Sequence, residues 1–262
     1  MQEFEEIRSV SIVGAGNLGW HMAHALHKAG IPIRHILVRN PSKARALAAG
    51  IGASVQALDL ELHEKPDLIL LCVSDDALPE LCERFESSSV PLVHCSGSTP
   101  MDSIGIEGGQ YGVFYPLQTF TAGVEMEYRK IPFLIEASSE DLGLKLRNMA
   151  GKISDSCIEV NSASRLIMHM AAVFACNFSN HMTAIAERLL SDTDLDLDLL
   201  RPLIQQTFTK LTAMDPLNSQ TGPALRGDSM ILQKHLEILN DRPKEQEIYK
   251  LISENIFRYR KQ

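Results

Sequence analysis

The chain has 262 residues, 45% hydrophobic and 22% charged, enough to bury the core of one large domain or two modest ones. A formal net charge of -8 repels a phosphate backbone, and the basic tail Arg258 to Lys261 reads as a solvated helix end, so nucleic acid is not an expected partner. The opening MQEFEEIRSV is acidic with no apolar run after a basic one, and no segment has the length and freedom from charge of a membrane span, so a cytoplasmic protein is expected. Five cysteines (Cys72, Cys82, Cys95, Cys157, Cys176) include no CxxC pair, and several lie in apolar runs, as reduced thiols do; no metal site is expected.

From Ser9 to about Val160, short apolar runs rich in β-branched residues alternate with helical patterns, the order of a mostly parallel sheet covered on both faces. The runs are SVSIV, IRHILV, a weak ASV, DLILLCV, PLVHC, YGVFY, PFLIEA and SCIEV. Asn40 before Pro41 and Thr99 before Pro100 each place a capping side chain ahead of a proline, which marks helix starts. Gly50 and Gly151 follow helical runs and mark expected stops. Beyond Val160 the strand pattern ends. Ser162 to Leu190 contains no Pro or Gly and predicts one helix of roughly 40 Å. Further helices are expected at Leu199 to Met214, Met230 to Leu239 and Glu245 to Tyr259, joined by a loop from Asp215 to Asp228. The expectation is an α/β domain over 1–160 and an all-α domain over 161–262. Leu166 to Phe178 is apolar nearly all round, with His169 and Asn177 its polar side chains, so a second copy of the chain is the expected cover for these helices.

Within VSIVGAGNLGWHMAHAL, Gly14, Gly16 and Gly19 directly follow a strand and open a helix, the context a dinucleotide-binding loop requires. The glycines allow a tight turn, close approach to a pyrophosphate and close helix-to-strand packing, while the backbone at Asn17 and Leu18 opens the helix toward the anion. His21, His24 and His27 recur on that helix without a carboxylate or cysteine and read as solvated. An NAD site places Asp or Glu about twenty residues past the glycines. Here that place holds Arg39, in VRNPSK, so Arg39 with Asn40, Ser42 and Lys43 favours the 2′-phosphate of NADP. The duller alternative for Arg39 is a pair with a surface carboxylate.

In open α/β sheets a ligand lies beyond the carboxyl ends of the strands, which directs attention to SDDAL, SGSTP and PLQTF. Val73 and Ser74 would flank the ribose. Ser96 would bond the nicotinamide amide or a substrate, or else serve an ordinary turn. Hydride transfer needs a partner for the accompanying proton. His169 suits it, with Asn177 about two helical turns on and about 80 degrees round an ideal helix, although a buried histidine is equally a structural residue. Arg226 in TGPALRGD is a candidate anion clamp, or part of a turn in which Asp228 caps the next helix.

The stretches VHCSGS, FYPLQTF, HMAAVFACNF and QTGPALRGD make the chain resemble, over nearly its whole length, Rossmann-like NADP oxidoreductases of the deazaflavin-coenzyme-dependent type with a helical C-terminal domain of unassigned function. The glycine motif is shared more widely, with pyrroline-5-carboxylate reductase and the 6-phosphogluconate dehydrogenase-like group. The resemblance implies an NADP-binding Rossmann domain, a helical dimerisation domain and a cleft. β-Hydroxyacid dehydrogenases resemble this layout but carry a catalytic lysine one turn before an asparagine, where this chain has Val173. Tyr115 stands where many relatives are expected to carry histidine. The expected activity is hydride transfer between NADP(H) and a small, anionic carbonyl, alcohol or imine, with His169 handling the proton and Asn177 and Ser96 positioning the substrate. A non-catalytic NADP-binding sensor or scaffold is the alternative, and the resemblance by itself also implies a third reading, reduction of NADP by a deazaflavin coenzyme.

Overall fold

The structure is a computed structural model that describes residues 6–59, 64–105 and 108–259. The acidic opening residues MQEFE, and Arg260 and Lys261 of the basic tail, lie outside the described residues. The chain divides into two compact units, Met1–Cys176 and Asn177–Gln262.

The first unit is an eight-stranded sheet in the order β3-β2-β1-β4-β5-β6-β7-β8. Its strands are β1 (Val10–Val13), β2 (Ile33–Val38), β3 (Ser54–Ala57), β4 (Leu68–Leu71), β5 (Leu92–His94), β6 (Tyr111–Pro116), β7 (Phe133–Ala137) and β8 (Cys157–Glu159). Each expected run therefore yields a strand. All neighbours are parallel except β6 and β7, which pair antiparallel with Phe114 opposite Ile135. The order reverses at β1, so the chain crosses away from it in both directions and opens a crevice at the ends of β1 and β4.

Because side chains alternate along a strand, the same strands feed two cores. Ile12, Ile36, Leu70 and Val93 face α1 (Asn17–Lys28), α2 (Arg45–Ile51) and α4 (Glu140–Ile153), while Val13, Leu37, Ile69, Leu71 and Leu92 face α3 (Leu78–Arg84). Burying each such aliphatic side chain stabilises by about 1.5–3 kcal/mol. That two-sided burial is why β4 reads as the unbroken run LILL instead of alternating.

Three local expectations fail for one reason, that a neighbouring packing demand overrides the marker residue. Gly50 and Gly151 lie inside α2 and α4, because Ile51 and Ile153, both buried, extend each apolar stripe past the glycine. The residue that ends α2 is Gly52, at φ 70°. Thr99 caps nothing: a short 3-10 turn, Met101–Ser103, follows Pro100, and the Thr99 hydroxyl accepts from Ser96 at 3.0 Å. Asn40 does cap, its side chain accepting from Ser42 N at 3.1 Å.

Past β8 comes α5 (Ser162–Ala172), then six π-helical residues, Val173–Phe178, then α6 (Ser179–Leu190). Ser162 to Leu190 is thus helical throughout but not one α-helix, and the Val173 N–H is shared between the carbonyls of His169 and Met170. A π turn holds more residues than an α turn, so the ideal-helix angle between His169 and Asn177 does not apply. The first unit takes in α5, beyond the sequence-based boundary at residue 160.

The second unit contains α6, α7 (Arg201–Ala213), α8 (Pro216–Ser219), α9 (Pro223–Arg226), α10 (Ser229–Ile238) and α11 (Pro243–Tyr259), with α9 packed against α10 and α11. Asp228 precedes α10 without a capping bond and pairs instead with Arg226, Nε to Oδ2 at 2.9 Å, so this arginine is not a free anion clamp. No helix among the described residues is long and apolar enough to cross a membrane.

Candidate coenzyme and active site

The three glycines of GAGNLG meet three different constraints. Gly14 has φ 101°, and a Cβ there would lie 2.4 Å from the Cys72 carbonyl oxygen. At Gly19 a Cβ would lie 2.2 Å from the Gly14 carbonyl oxygen, so α1 packs on the end of β1 with no room for a side chain. Gly16 is the opposite case: it caps α1 and has nothing within 4 Å of its missing Cβ. The protein itself requires glycine at the first and third positions. At the second it leaves open space in front of the free N–H groups of the helix, as an incoming pyrophosphate needs.

Around this loop, Val73 is half-buried and touches the Gly14 position, and Ser74 is exposed at the start of a 3-10 turn, Asp75–Ala77. Across β1, at the end of β2, Arg39, Asn40, Ser42 and Lys43 are all exposed. Neither Arg39 nor Lys43 makes an ion pair among the described residues. Leu18 packs on the core, and the Asn17 side chain accepts from Ala122 N at 3.1 Å.

The segment after β6 thus folds back over α1, and His21 explains how. It is fully buried, with Nε2 bonded to the Thr121 carbonyl at 2.8 Å and Nδ1 to the Tyr128 hydroxyl at 3.1 Å. The expectation that all three helix histidines are solvated is corrected for His21, whose partners lie more than 90 residues away and leave no local trace. Of the others, His24 is half-buried against Trp20 and only His27 is exposed. No group of three or more His, Cys, Asp or Glu among the described residues is arranged to hold a metal.

The loop after β5 is internally bonded. Ser96 Oγ accepts from Ser98 N at 3.1 Å and Thr99 N at 2.9 Å and donates to Thr99 Oγ1 at 3.0 Å, which uses one donor and two lone pairs. Ser96 builds the loop, and nothing of its hydroxyl is left over for a ligand in this arrangement. Beneath it, Ser96 N donates to His94 Nδ1 at 3.1 Å, while His94 Nε2 is buried with no hydrogen-bond partner among the described residues. Burial first, then the nearby Arg165 charge, lowers the His94 pKa to about 4, against weaker opposing influences from the Pro100 backbone, Asp75 and Glu136.

His169 meets at this edge partners that sequence patterns missed. Tyr115, near the end of β6, places its hydroxyl 3.0 Å from His169 Nδ1 on α5. Gly97 lies directly against both rings: a Cβ there would come within 2.7 Å of His169 Nδ1 and 2.8 Å of Tyr115 Cζ. Ser98 Oγ, one residue on, bonds the Asp75 carboxylate. The buried guanidinium of Arg165 fixes the start of α5, pairing with Glu136 on β7 and donating to the Thr99 carbonyl at 2.6 Å. Ser162 adds a hydroxyl bond to Glu136 at 2.7 Å and accepts from Met101 N at 2.9 Å. His169 is thereby held over the ends of β5 and β6. Asn177 is exposed and opens the second unit.

Comparison with known proteins gives the site a chemical setting. Residues 9–95 match the family model described as NADP oxidoreductase coenzyme F420-dependent, and residues 131–256 match a domain of unknown function, DUF2520. No curated protein matches the chain. A Bacteroides fragilis protein, provisionally described as an NADP oxidoreductase, is 36% identical, and its crystal structure superposes with a TM-score of 0.90 over 96% of this chain and 98% of that one. The chain belongs to this NADP oxidoreductase family. It is an oxidoreductase whose cofactor is NADP, as the arginine at position 39 leads one to expect. The fold extends to more distant proteins: a Streptomyces aurantiacus imine reductase is 17% identical with a TM-score of 0.69, covering 95% of this chain and 93% of that one. An Aspergillus terreus reductive aminase, solved with NADPH and ethyl 5-oxohexanoate, is 14% identical with a TM-score of 0.66, covering 95% and 91%.

Proposed function

We propose that this NADP oxidoreductase reduces a small carbonyl or imine, or runs the reverse reaction on the corresponding alcohol or amine. The observation that carries the reading is the open Gly16 between two close-packed glycines at the end of β1, with Arg39, exposed and without an ion pair among the described residues, at the end of the neighbouring β2. Gly14, Gly16, Gly19 and the backbone at Asn17 and Leu18 hold the pyrophosphate, Arg39 with Asn40, Ser42 and Lys43 holds the 2′-phosphate, and Val73 and Ser74 flank the ribose. The bound coenzyme supplies or accepts hydride. His169 handles the accompanying proton, Asn177 orients the substrate, and Ser96 keeps the loop after β5 in shape. The dinucleotide needs the row of strand ends from β2 toward β5, which leaves the end of β6 for the substrate. An anionic substrate is no part of this reading, because Arg165 and Arg226 both spend their charge on carboxylates within the protein. That the imine reductase and the reductive aminase share the fold supports including C=N among the acceptors.

Residues 161–262 serve as the substrate and dimerisation domain of a homodimer. Supporting this, Ile167, Phe174, Leu203 and Leu251 are each at least 60% exposed in the single chain, far more apolar surface than a monomer's helices usually leave in water.

Titration with NADPH and NADH tests the coenzyme assignment. NADPH should bind at least about tenfold more tightly, equivalent to about 1.4 kcal/mol, and Arg39→Ala should remove most of that preference. Equal affinities in the unaltered protein would overturn the role of Arg39.

A further inference from the structure

We propose that Tyr115 is the catalytic acid of this reductase and that His169 works behind it, returning the proton that Tyr115 gives up. The inference rests on the reduction reading above and moves the donor from the imidazole to the phenol. Four observations carry it.

First, Tyr115 lies in the penultimate position of β6, whose end faces the same edge as the ends of β1, β4 and β5. Its hydroxyl therefore stands at the strand end left for a substrate once a dinucleotide occupies the strands from β2 to β5. Second, its partner is a single atom, His169 Nδ1, at 3.0 Å, so the two groups can exchange a proton directly. Third, Gly97 locks the pair: with any side chain there, a Cβ within 2.8 Å of both rings would force them apart. Gly97 is not among the glycines with positive φ, so it is the close approach to the two rings, and not a left-handed backbone, that calls for glycine there. Fourth, burial raises the Tyr115 pKa, helped by Asp75 and opposed by Arg165, so the phenol holds its proton until a stronger base forms beside it.

As the substrate carbon takes up hydride from NADPH, the electron pair of its C=O or C=N moves onto the heteroatom. That pair takes the Tyr115 proton: the phenolic O–H bond breaks as the new O–H or N–H bond forms. The phenolate then takes the proton from His169 Nδ1 while His169 Nε2 takes one from solvent, and proton exchange with solvent returns the imidazole to its Nδ1-protonated form before the next turnover. The net uptake is one hydride and one proton. The scheme requires a particular tautomer. His169 must carry its proton on Nδ1 and donate it to the tyrosine oxygen, which leaves the phenolic O–H free for the substrate. In a merely structural pair the phenol donates to Nδ1 and its proton is turned away.

Two measurements on the NADP-loaded full-length protein decide this. Nitrogen-15 NMR should find His169 protonated on Nδ1 and should show it shifting to the Nε2-protonated form in Tyr115→Phe. An Nε2-protonated His169 in the unaltered protein, or a tautomer indifferent to Tyr115→Phe, overturns the proposal. In steady state with NADPH and 2-methyl-1-pyrroline or cyclohexanone as probe, Tyr115→Phe should lower kcat by about 10²–10⁴-fold with NADPH affinity unchanged. Wild-type kcat in that variant overturns it too. A protein that binds NADPH yet reduces neither probe counts against the reduction reading alone, and the tautomer then judges the pair.

Discussion

The two compact units solve the burial problem differently. In Met1–Cys176 both faces of the sheet are covered from within, and Ile12, Leu26, Leu68, Leu70 and Phe114 are completely buried. In Asn177–Gln262, Ala224 and Leu239 are the buried hydrophobic residues among those described, while Leu199, Leu203, Ile238 and Leu251 each stand more than 60% exposed. One unit holds its structure by its own interior. The other has amphipathic helices of ordinary length that leave much of their apolar surface exposed among the described residues, and helices of that kind draw their stability from packing. The lesson concerns where precision is located. The coenzyme loop and the Tyr115–His169 pair both belong to Met1–Cys176, where the loop packs on that unit's own core while α5, which carries His169, leaves Ile167 60% exposed.

That contrast breaks most visibly at Arg165, the one charged side chain completely buried among the described residues of Met1–Cys176. Arg165→Met removes a partner from Glu136, whose side chain is only 16% exposed, and also takes a donor from the Thr99 carbonyl. Denaturant unfolding should show a loss of about 3–5 kcal/mol, since an uncompensated buried charge is left behind. Adding Glu136→Gln removes that charge and should recover part of the loss. A single-variant loss below about 1 kcal/mol would mean that the start of α5 is not held by this pair.

The next largest effect is in pH. His94 titrates near 6.5 in an unfolded chain and about 4 in the fold, where burial and Arg165 outweigh Asp75, Glu136 and the Pro100 backbone. Between those values the unfolded chain binds a proton that the folded one refuses. Stability from this group is therefore intact above about pH 6.5 and falls as pH drops toward 4, by up to roughly 3 kcal/mol. Unfolding free energies at pH 7 and pH 4.5 measure it, and His94→Gln should flatten much of the slope. An unchanged slope would show that the imidazole does not stay neutral beneath the Ser96 loop.

How much of this was readable in advance follows the range of the forces. The glycine loop and β2 were legible because their determinants are local: a strand, three glycines at fixed spacing, then an apolar stripe on α1. The helix stops at Gly50 and Gly151 were misplaced because a glycine is weighed against the next buried residue, and Ile51 and Ile153 prevail. His169 stood out in an apolar helix, but its partner is 54 residues away on β6, and the contact exists only because Gly97 allows it. Arg165 stands in no sequence pattern that singles it out. Nothing in its neighbourhood announces Glu136, which reaches it from another element.

The smallest change in a single chain should come from the exposed leucines of the helical unit, and for that reason it sharpens the comparison best. Leu203 on α7 is 64% exposed and Leu251 on α11 is 66% exposed. If those faces remain in water, Leu203→Gln and Leu251→Gln remove no packing, and the change should stay within about 0.5 kcal/mol at every protein concentration. In a homodimer the faces are covered, the Tm of the unaltered protein rises with concentration by mass action, and both substitutions weaken that rise. Sedimentation equilibrium should then give twice the chain mass for the unaltered protein and a lower average for the variants at the same loading. NADPH affinity measured on the variants completes the comparison. Retained affinity in a dissociated variant would mean that the sheet unit binds coenzyme by itself, whereas affinity lost in step with dissociation would mean that the helical unit's partner contributes to the site.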